Sequence, residues 1–262
     1  MNGISSFFLA ILIAYGSFVS LLANPKAPED TGDFSPVVRF IVTSDSHITT
    51  IGDIQSFRLQ RMVKLGYDIA EKDEEYNKLD AVLIAGDVTD MGTKIAFGSI
   101  KAATKPVIKE GTQFLATVST SHDDRNLGKE SLELYEEIMG QETDFHRVID
   151  GFHFIGISRS PERGVHYTDE QVLWLDRELA AATAAAPSQP VFVFQHEHVL
   201  DTVFGSYSYD GWGMDTFTAV LEKYPQAVHI SGHSHYPAND PRSIWQGSFT
   251  AIGDGGLAYY EF

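Results

Sequence analysis

The sequence has no cysteine among its 262 residues. That excludes a disulfide framework, a thiolate metal site and a cysteine nucleophile. Positive charge is also scarce: 19 Lys and Arg stand against 36 Asp and Glu, a formal net charge of −17. A general binder of DNA or RNA needs Lys and Arg to displace phosphate counterions, so no nucleic acid polymer is expected as a partner. There is no internal repeat, and the only biased stretch is the alanine-rich run at residues 180–186, which reads as a helix end. What is present, 43% hydrophobic and 21% charged residues, is the composition of a folded globular protein. The length suits one large α/β domain or two small ones.

Residues 7–23, FFLAILIAYGSFVSLLA, carry no charge, and the first basic side chain is Lys26. This run reads as a secretory signal with Ala23 as a cleavage site, or as an uncleaved N-terminal anchor, with a buried core helix as a third reading. It is long for a signal core and short for a spanning helix. The first two readings predict export to a periplasmic or extracellular location, or membrane contact through residues 7–23. Polar, proline-containing residues 24–35 read as a linker, which leaves 36–262 as the domain.

From residue 37 onward, short β-branched runs alternate with longer helical patterns. Strands are expected at 37–43, 80–86, 113–119, 152–158, 190–195 and 227–231, and helices at 54–71, 129–139, 168–185 and 214–223. Thr168 with Gln171 makes a capping box. The closing segments, SIWQGSFTAIG and GLAYYEF, read as two paired strands. Such alternation indicates an α/β fold.

Residues able to bind metal follow the strands directly. They are Asp45 and His47 after the first, Asp87 and Asp90 after the second, Ser121, His122, Asp123 and Asp124 after the third, His196 and His198 after the fifth, and His233 and His235 after the sixth. In open α/β sheets the carboxyl ends of strands converge on the ligand site. One Asp after a strand is ordinarily a turn former, and one His is ordinarily a hydrogen-bonded core or surface residue. Five strand ends each delivering carboxylate or imidazole supply a mixed N/O set sufficient for two divalent cations. Gly86 and Gly232 precede their candidate ligands, where close packing or unusual backbone angles are needed.

The order Asp-x-His, Gly-Asp-x-x-Asp, a His-Asp loop, a later His and Gly-His-x-His resembles the calcineurin-like metallophosphoesterase family over residues 37–262. PVFVFQH and GHSHYPANDPRSIWQGSFT are similar to the branch with bacterial cyclic-nucleotide phosphodiesterases. The resemblance implies a four-layer α/β fold, a double β-sandwich flanked by helices, with a two-metal site on its rim. It implies that Asp45, His47 and His235 hold one metal, that Asp87 bridges, and that His196 and His233 hold the second. His122 would stand beside the substrate phosphate as the catalytic residue. Two cations roughly 3.5–4 Å apart can share a hydroxide and steady attacking and leaving oxygens in an in-line displacement. Mn, Fe and Zn all suit this donor set. Some members of the family carry a further C-terminal domain, and this sequence ends at Tyr260-Glu261-Phe262, soon after the last expected strand.

One residue departs from the pattern. The family's third motif reads Gly-Asn-His-Asp or Gly-Asn-His-Glu, whereas this chain has Thr120-Ser121-His122-Asp123. Ser121 stands where an amide carbonyl normally ligates the second metal. Three readings follow: water completes a weakened site, Asp123 or Asp124 takes the position, or the second metal is lost. The first predicts a phosphodiesterase or phosphomonoesterase of reduced activity on small phosphoesters. The last predicts a ligand-binding protein that keeps the fold without catalysis. Asp90 reads as a partner of His122 or as a helix cap, Arg125 as a phosphate clamp or a surface ion pair, and His198 as an extra ligand or a bystander. His146, His153, His166 and His229 are expected to be structural. The loop at residues 203–214 offers Tyr207, Tyr209 and Trp212 as a stacking wall or as ordinary buried aromatics.

Overall fold

The computed structural model describes residues 35–259 apart from 120, 126, 161 and 163–165. The expected signal or anchor, nearly all of the linker and the last three residues lie outside the described residues. The chain divides into two units, Met1–Ser35 and Pro36–Phe262.

One sheet is formed by β1 (Phe40–Thr43), β2 (Ala81–Ala85) and β3 (Gln113–Thr117), all parallel, with β2 central. Every residue of β2, AVLIA, is buried, as a strand covered on both faces requires. Three helices cover its outer face: α1 (Ile54–Ala70), α2 (Lys94–Thr104) and α3 (Lys129–Met139). Alternation along β2 divides its side chains. Val82 and Ile84 pack with Leu59 and Val63 of α1, Phe97 of α2 and Tyr135 of α3. Ala81 and Leu83 face the other way.

The second sheet has six strands in the order β10-β11-β9-β6-β5-β4. They are β4 (Phe145–Ile149), β5 (Phe152–Gly156), β6 (Val191–Phe194), β9 (Ala227–Ser231), β10 (Ile244–Gln246) and β11 (Thr250–Gly253). Strands β5, β6, β9 and β11 run parallel, and β4 and β10 are antiparallel edges. Phe154, Phe194 and Ile230 meet Ala81, Leu83 and Leu115 of the first sheet. Phe40 reaches across, its ring centroid 5.2 Å from that of Phe154 and 4.8 Å from that of Phe192. The outward side chains of this sheet, Ile155, Val191 and Val193, pack under α4 (Asp169–Ala185) and α5 (Thr218–Leu221). The layers are therefore helices, sheet, sheet, helices, which is the double sandwich the resemblance implied.

Local chemistry sets the helix starts. The Asp53 side chain accepts from the Ser56 amide at 2.7 Å and caps α1. Thr93 caps α2, and Thr168 with Gln171 forms the expected capping box on α4.

Two expectations are corrected. The helix expected at 214–223 is only α5, because Met214 belongs to a short parallel pair of β7 (His198–Val199) and β8 (Gly213–Met214), and the Met214 carbonyl accepts from the Leu200 amide at 2.9 Å. The closing hairpin lies wholly within SIWQGSFTAIG, as β10 and β11, and 255–259 form no strand. Helix α2 and edge strand β4 were not anticipated. The buried set Ala96, Phe97, Ile100 and Ala103 of α2 has helical spacing, but Gly98 interrupts the segment and weakens its helical signal.

Candidate metal centre

The carboxyl ends of β1, β2, β3, β6, β9 and β11 meet where the two sheets adjoin. Cross-strand backbone bonds fix the loops there: the Asp45 amide donates to the Gly86 carbonyl at 3.1 Å, the His47 amide to Asp87 at 3.0 Å, and the Gly232 amide to His196 at 3.0 Å. His196 ties the sheets together, its Nδ1 being 3.0 Å from the Ala85 carbonyl. That contact assigns the Nδ1 hydrogen to His196 and leaves Nε2 facing inward.

Both glycines are required by close approach. Gly86 has φ +80°, and a Cβ on it would lie 2.5 Å from the His196 Cβ. A Cβ on Gly232 would lie 2.0 Å from Ser44 Oγ. Strain also falls on the candidate ligands. Among the described residues, Asp45, His47, Asp87, His233 and His235 all have positive φ, with Asp150 and Asp201 the only other non-glycine residues that do.

The polar atoms converge. His235 Nε2 is 2.9 Å from Asp45 Oδ1 and 3.4 Å from His47 Nε2. His196 Nε2 is 3.3 Å from Asp87 Oδ2 and 3.0 Å from His233 Nδ1. The structure thus brings together all of Asp45, His47, Asp87, His196, His233 and His235. Two groupings have one donor atom per residue all within 4.8 Å, Asp45–His47–His235 and Asp45–Asp87–His196, and a third is formed by His47, Asp90 and His122.

The protonation states of both carboxylates and of two of the imidazoles suit a cation. Burial would raise the Asp87 carboxyl, but the charge and hydrogen bond of His196 and the Ser119 hydroxyl hold it well below the usual range. Burial is likewise outweighed at Asp45, chiefly by the charge of His196. Burial pushes His47 and His233 down to about 4, leaving neutral imidazoles. His196 is lifted well above its ordinary value, against burial, by Asp87 and Asp45. His235 is raised too, against burial, by its hydrogen bond to Asp45 and the charge of Asp45. The carboxylates and the neutral imidazoles of His47 and His233 are in the states that ligate metal, whereas His196 and His235 are drawn toward the protonated form by the carboxylates and would give up that proton to a bound cation. His47 Nδ1 is buried without a hydrogen-bond partner, with Asp90 Oδ1 3.9 Å away. On its other side His47 Nε2 faces His235 Nε2 at 3.4 Å with Asp45 Oδ1 3.7 Å and Asp87 Oδ2 3.8 Å away, a donor set that fits a divalent cation with N/O preference.

Ser121 reaches the centre by donating to Asp87 Oδ1 at 2.7 Å, and Ser119 donates to the same oxygen. Neither neighbouring aspartate is free to replace the amide. Asp123 is fully buried and accepts from the Val88, Thr89 and Ser119 amides and the Thr89 hydroxyl. Asp124 pairs with Arg159. His122 stands at the rim, its Nδ1 2.9 Å from Asp90 Oδ1 and its Nε2 3.9 Å from Asp87 Oδ2. Asp90 therefore orients His122, and Thr93 takes the cap of α2 instead. Arg125 Nη2 lies 3.1 Å from His122 Nε2.

His198 is buried with both ring nitrogens occupied, by Ser231 Oγ at 2.8 Å and Ser234 Oγ at 2.7 Å. It braces the loop that carries His233 and His235. His146 and His153 form a chain with Glu178 on β4, β5 and α4, and His229 contacts Gln195.

Sequence reasoning missed two residues. Tyr259 lies with its ring centroid 5.3 Å from that of His47 and 6.0 Å from that of His235. Asp254 Oδ1 is 2.8 Å from Ser44 Oγ, which also contacts Asp45 Oδ2 and the Gly255 carbonyl. One hydroxyl hydrogen cannot serve three acceptors; burial raises the Asp254 carboxyl well above its usual range, and a proton on it would relieve one of the three contacts. In the aromatic loop, Trp212 lies 5.0 Å from the His233 ring, while Tyr207 and Tyr209 stack on each other.

These features have close counterparts. A family model described as calcineurin-like phosphoesterase matches residues 38–237. A curated protein of Rhodococcus erythropolis, described as "Probable cyclic nucleotide phosphodiesterase", is 32% identical over 160 residues, covering 60% of this chain and 52% of that protein. The match thus spans about half the length of this relative. A purple acid phosphatase from seeds of yellow lupin (Lupinus luteus) superposes with a TM-score of 0.52 at 13% identity, covering 76% of this chain and 38% of the other, a likeness of fold alone. The strand-end carboxylates and imidazoles, the four layers and the matched 38–237 stretch agree, and the chain belongs to the calcineurin-like phosphoesterase family.

Proposed function

We propose that the protein is a metal-dependent hydrolase of small phosphoesters that uses two divalent cations, with the second held less tightly than is usual for the family. The observation that carries this reading is the convergence of Asp45, His47, Asp87, His196, His233 and His235 on one strained, largely buried cluster. Asp45, His47 and His235 would hold one cation, Asp87 and His196 with His233 the other, and Ser121 would contribute only a hydroxyl. Cations there would supply Lewis acidity and a lowered pKa for water at neutral pH.

The chain's own groups complete the site. Asp90 holds Nδ1 of His122, and Nε2, which here accepts from Arg125, would carry a proton toward a leaving oxygen once Arg125 turns to a phosphoryl oxygen. Arg125 is placed to meet a phosphoryl oxygen beside it. Trp212, 43% exposed, and Tyr259, 50% exposed, flank the cluster and offer ring faces to a substrate. A cyclic nucleotide is one candidate, supported by the name of the Rhodococcus relative. A net charge of −17 disfavours long polyanions.

Ser121 gives a second reading its one support: its hydroxyl is committed to Asp87 where an amide carbonyl would face a cation, as in a fold that binds without turnover. The test is metal quantification with Mn²⁺-supported hydrolysis of bis(p-nitrophenyl) phosphate by the wild type, Asp87→Ala and Ser121→Asn. The hydrolase reading expects turnover that Asp87→Ala abolishes and that Ser121→Asn raises, with tighter retention of a second metal equivalent. Metal bound without turnover in either the wild type or Ser121→Asn would establish the binding protein instead.

A further inference from the structure

Helix α1 buries Leu59, Val63, Tyr67 and Ala70, yet its opposite face is not polar. Ile54, Phe57, Leu65 and Ile69 are 59%, 57%, 51% and 54% exposed, and Ile51 in the preceding loop is 68% exposed. They recur at helical steps along the solvent side, interleaved with exposed Arg58, Arg61 and Lys64. Within α1 Asp68 is the one acidic side chain against three cations, with the capping Asp53 before them and Glu71 just after, so the basic residues gather in the middle turns of the helix in a chain of net charge −17. Ile54, Phe57, Met62 and Leu65 line a shallow groove with Leu257. That groove continues to the rim of the metal centre, because Arg58 donates to the Ala258 carbonyl and the next residue, Tyr259, lies against His47 and His235.

We propose that the outer face of α1 docks on an anionic lipid surface, with its apolar side chains entering the headgroup boundary and Arg58, Arg61 and Lys64 meeting lipid phosphates. Large apolar residues set among cations are the composition of an interfacial face. Local charge selects this occupant over the others, because salt screening limits the reach of the chain's remaining negative charge to about 10 Å from the surface. A two-fold contact between copies would set the three cations of one chain against those of the other. Residues 7–23 carry no charge to complement them. Among the described residues no helix is long and apolar enough to cross a membrane, so this contact would lie along the surface. Docking would bring the Tyr259 side of the metal centre to the lipid boundary.

The absence of cysteine makes the test specific to the face. Full-length protein carrying Leu65→Cys, or Ile69→Cys as a second reporter, is labelled with a polarity-sensitive fluorophore and mixed with vesicles of phosphatidylcholine and phosphatidylglycerol at 7:3. Glu133→Cys, on the exposed side of α3, is the control for attachment through any other segment. The expected result is a blue shift and intensity gain at 65 and 69 but not at 133. Each basic residue near an anionic surface contributes about fivefold in partitioning, so Arg61→Ala with Lys64→Ala should raise the half-saturating lipid concentration on the order of 25-fold. No response at 65 and 69, or an equal response to pure phosphatidylcholine, overturns the proposal. So does a blue shift before vesicles are added, which would assign the face to a second copy if it grew with protein concentration and to the chain's own segment if it did not.

Discussion

Asp123 offers the sharpest test of how the centre is built. Its carboxylate is fully buried and accepts from the Val88 amide at 3.1 Å, the Thr89 amide at 2.7 Å, the Ser119 amide at 3.1 Å and the Thr89 hydroxyl at 2.8 Å. Val88 follows Asp87, and Ser119 donates to Asp87, so the same side chain fixes both neighbours of the proposed bridging ligand. Asp123→Ala strands three backbone donors and a hydroxyl. Each buried unsatisfied donor costs about 1–3 kcal/mol, and water entering the space left by the carboxylate recovers part of that. The expected loss is about 2–5 kcal/mol, because burial and the Asp87 charge push the Asp123 carboxyl up to about 6 and removing it relieves that cost, against the roughly 5–15 kcal/mol typical of a domain. Asp123→Asn keeps the shape and one acceptor oxygen and should lose about half as much. Urea denaturation of the metal-free protein at fixed pH measures both, and metal titration of the still-folded fraction should show weakened binding. Asp123→Ala within 1 kcal/mol of wild type would refute the reasoning, since four bonds to one buried carboxylate cannot be lost so cheaply.

Three further outcomes are expected. Gly86→Ala should cost about 2–4 kcal/mol, from positive φ and from collision with the His196 ring, and should reduce metal content in samples that still fold. Asp90→Asn should lower kcat roughly 10- to 100-fold with little change in KM, because it frees the ring of His122 without touching the cluster's donor set. His229 is buried and held down to about 4, so its folded form is neutral. Stability it contributes is present above pH 6.5 and is lost as pH falls toward 4, by about 3 kcal/mol, and His229→Gln should flatten that acid limb in denaturation experiments on metal-free protein.

The local half of this structure was legible. Strand β2 announced itself as an uninterrupted apolar run, and the candidate ligands followed strand ends, where a parallel sheet must collect its functional groups. Gly86 and Gly232 were readable as close approaches because glycine before a polar residue at a strand end has few other uses. What stayed hidden depends on partners remote in sequence. Asp254 meets Ser44 across 210 residues, and Tyr259 reaches His47 only because the Leu257 and Ala258 amides bond to the Ser44 and Asp45 carbonyls. His198 looked like a third imidazole in a metal motif, and only the hydroxyls of Ser231 and Ser234 show that both its nitrogens are spent. Residues 214–223 have the apolar content of a helix, but Met214 gains a strand partner in Val199 that no local pattern displays.

The distribution of strain explains why the site needs two sheets. A left-handed backbone costs a residue with a Cβ roughly 1–2 kcal/mol, and five of the candidate ligands adopt it. Such conformations persist only where surrounding structure over-determines them. Here the fixing bonds come from both sheets: Gly86 and Asp87 of the first hold Asp45 and His47, His196 of the second holds Gly232 and reaches back to Ala85, and the Asp45 side chain accepts from the His233 amide. A single sheet could present ligands along its edge, but it could not hold them turned toward one another against that strain. The three apolar cores, which contain none of the six convergent ligands, supply the rigidity on which those bonds depend.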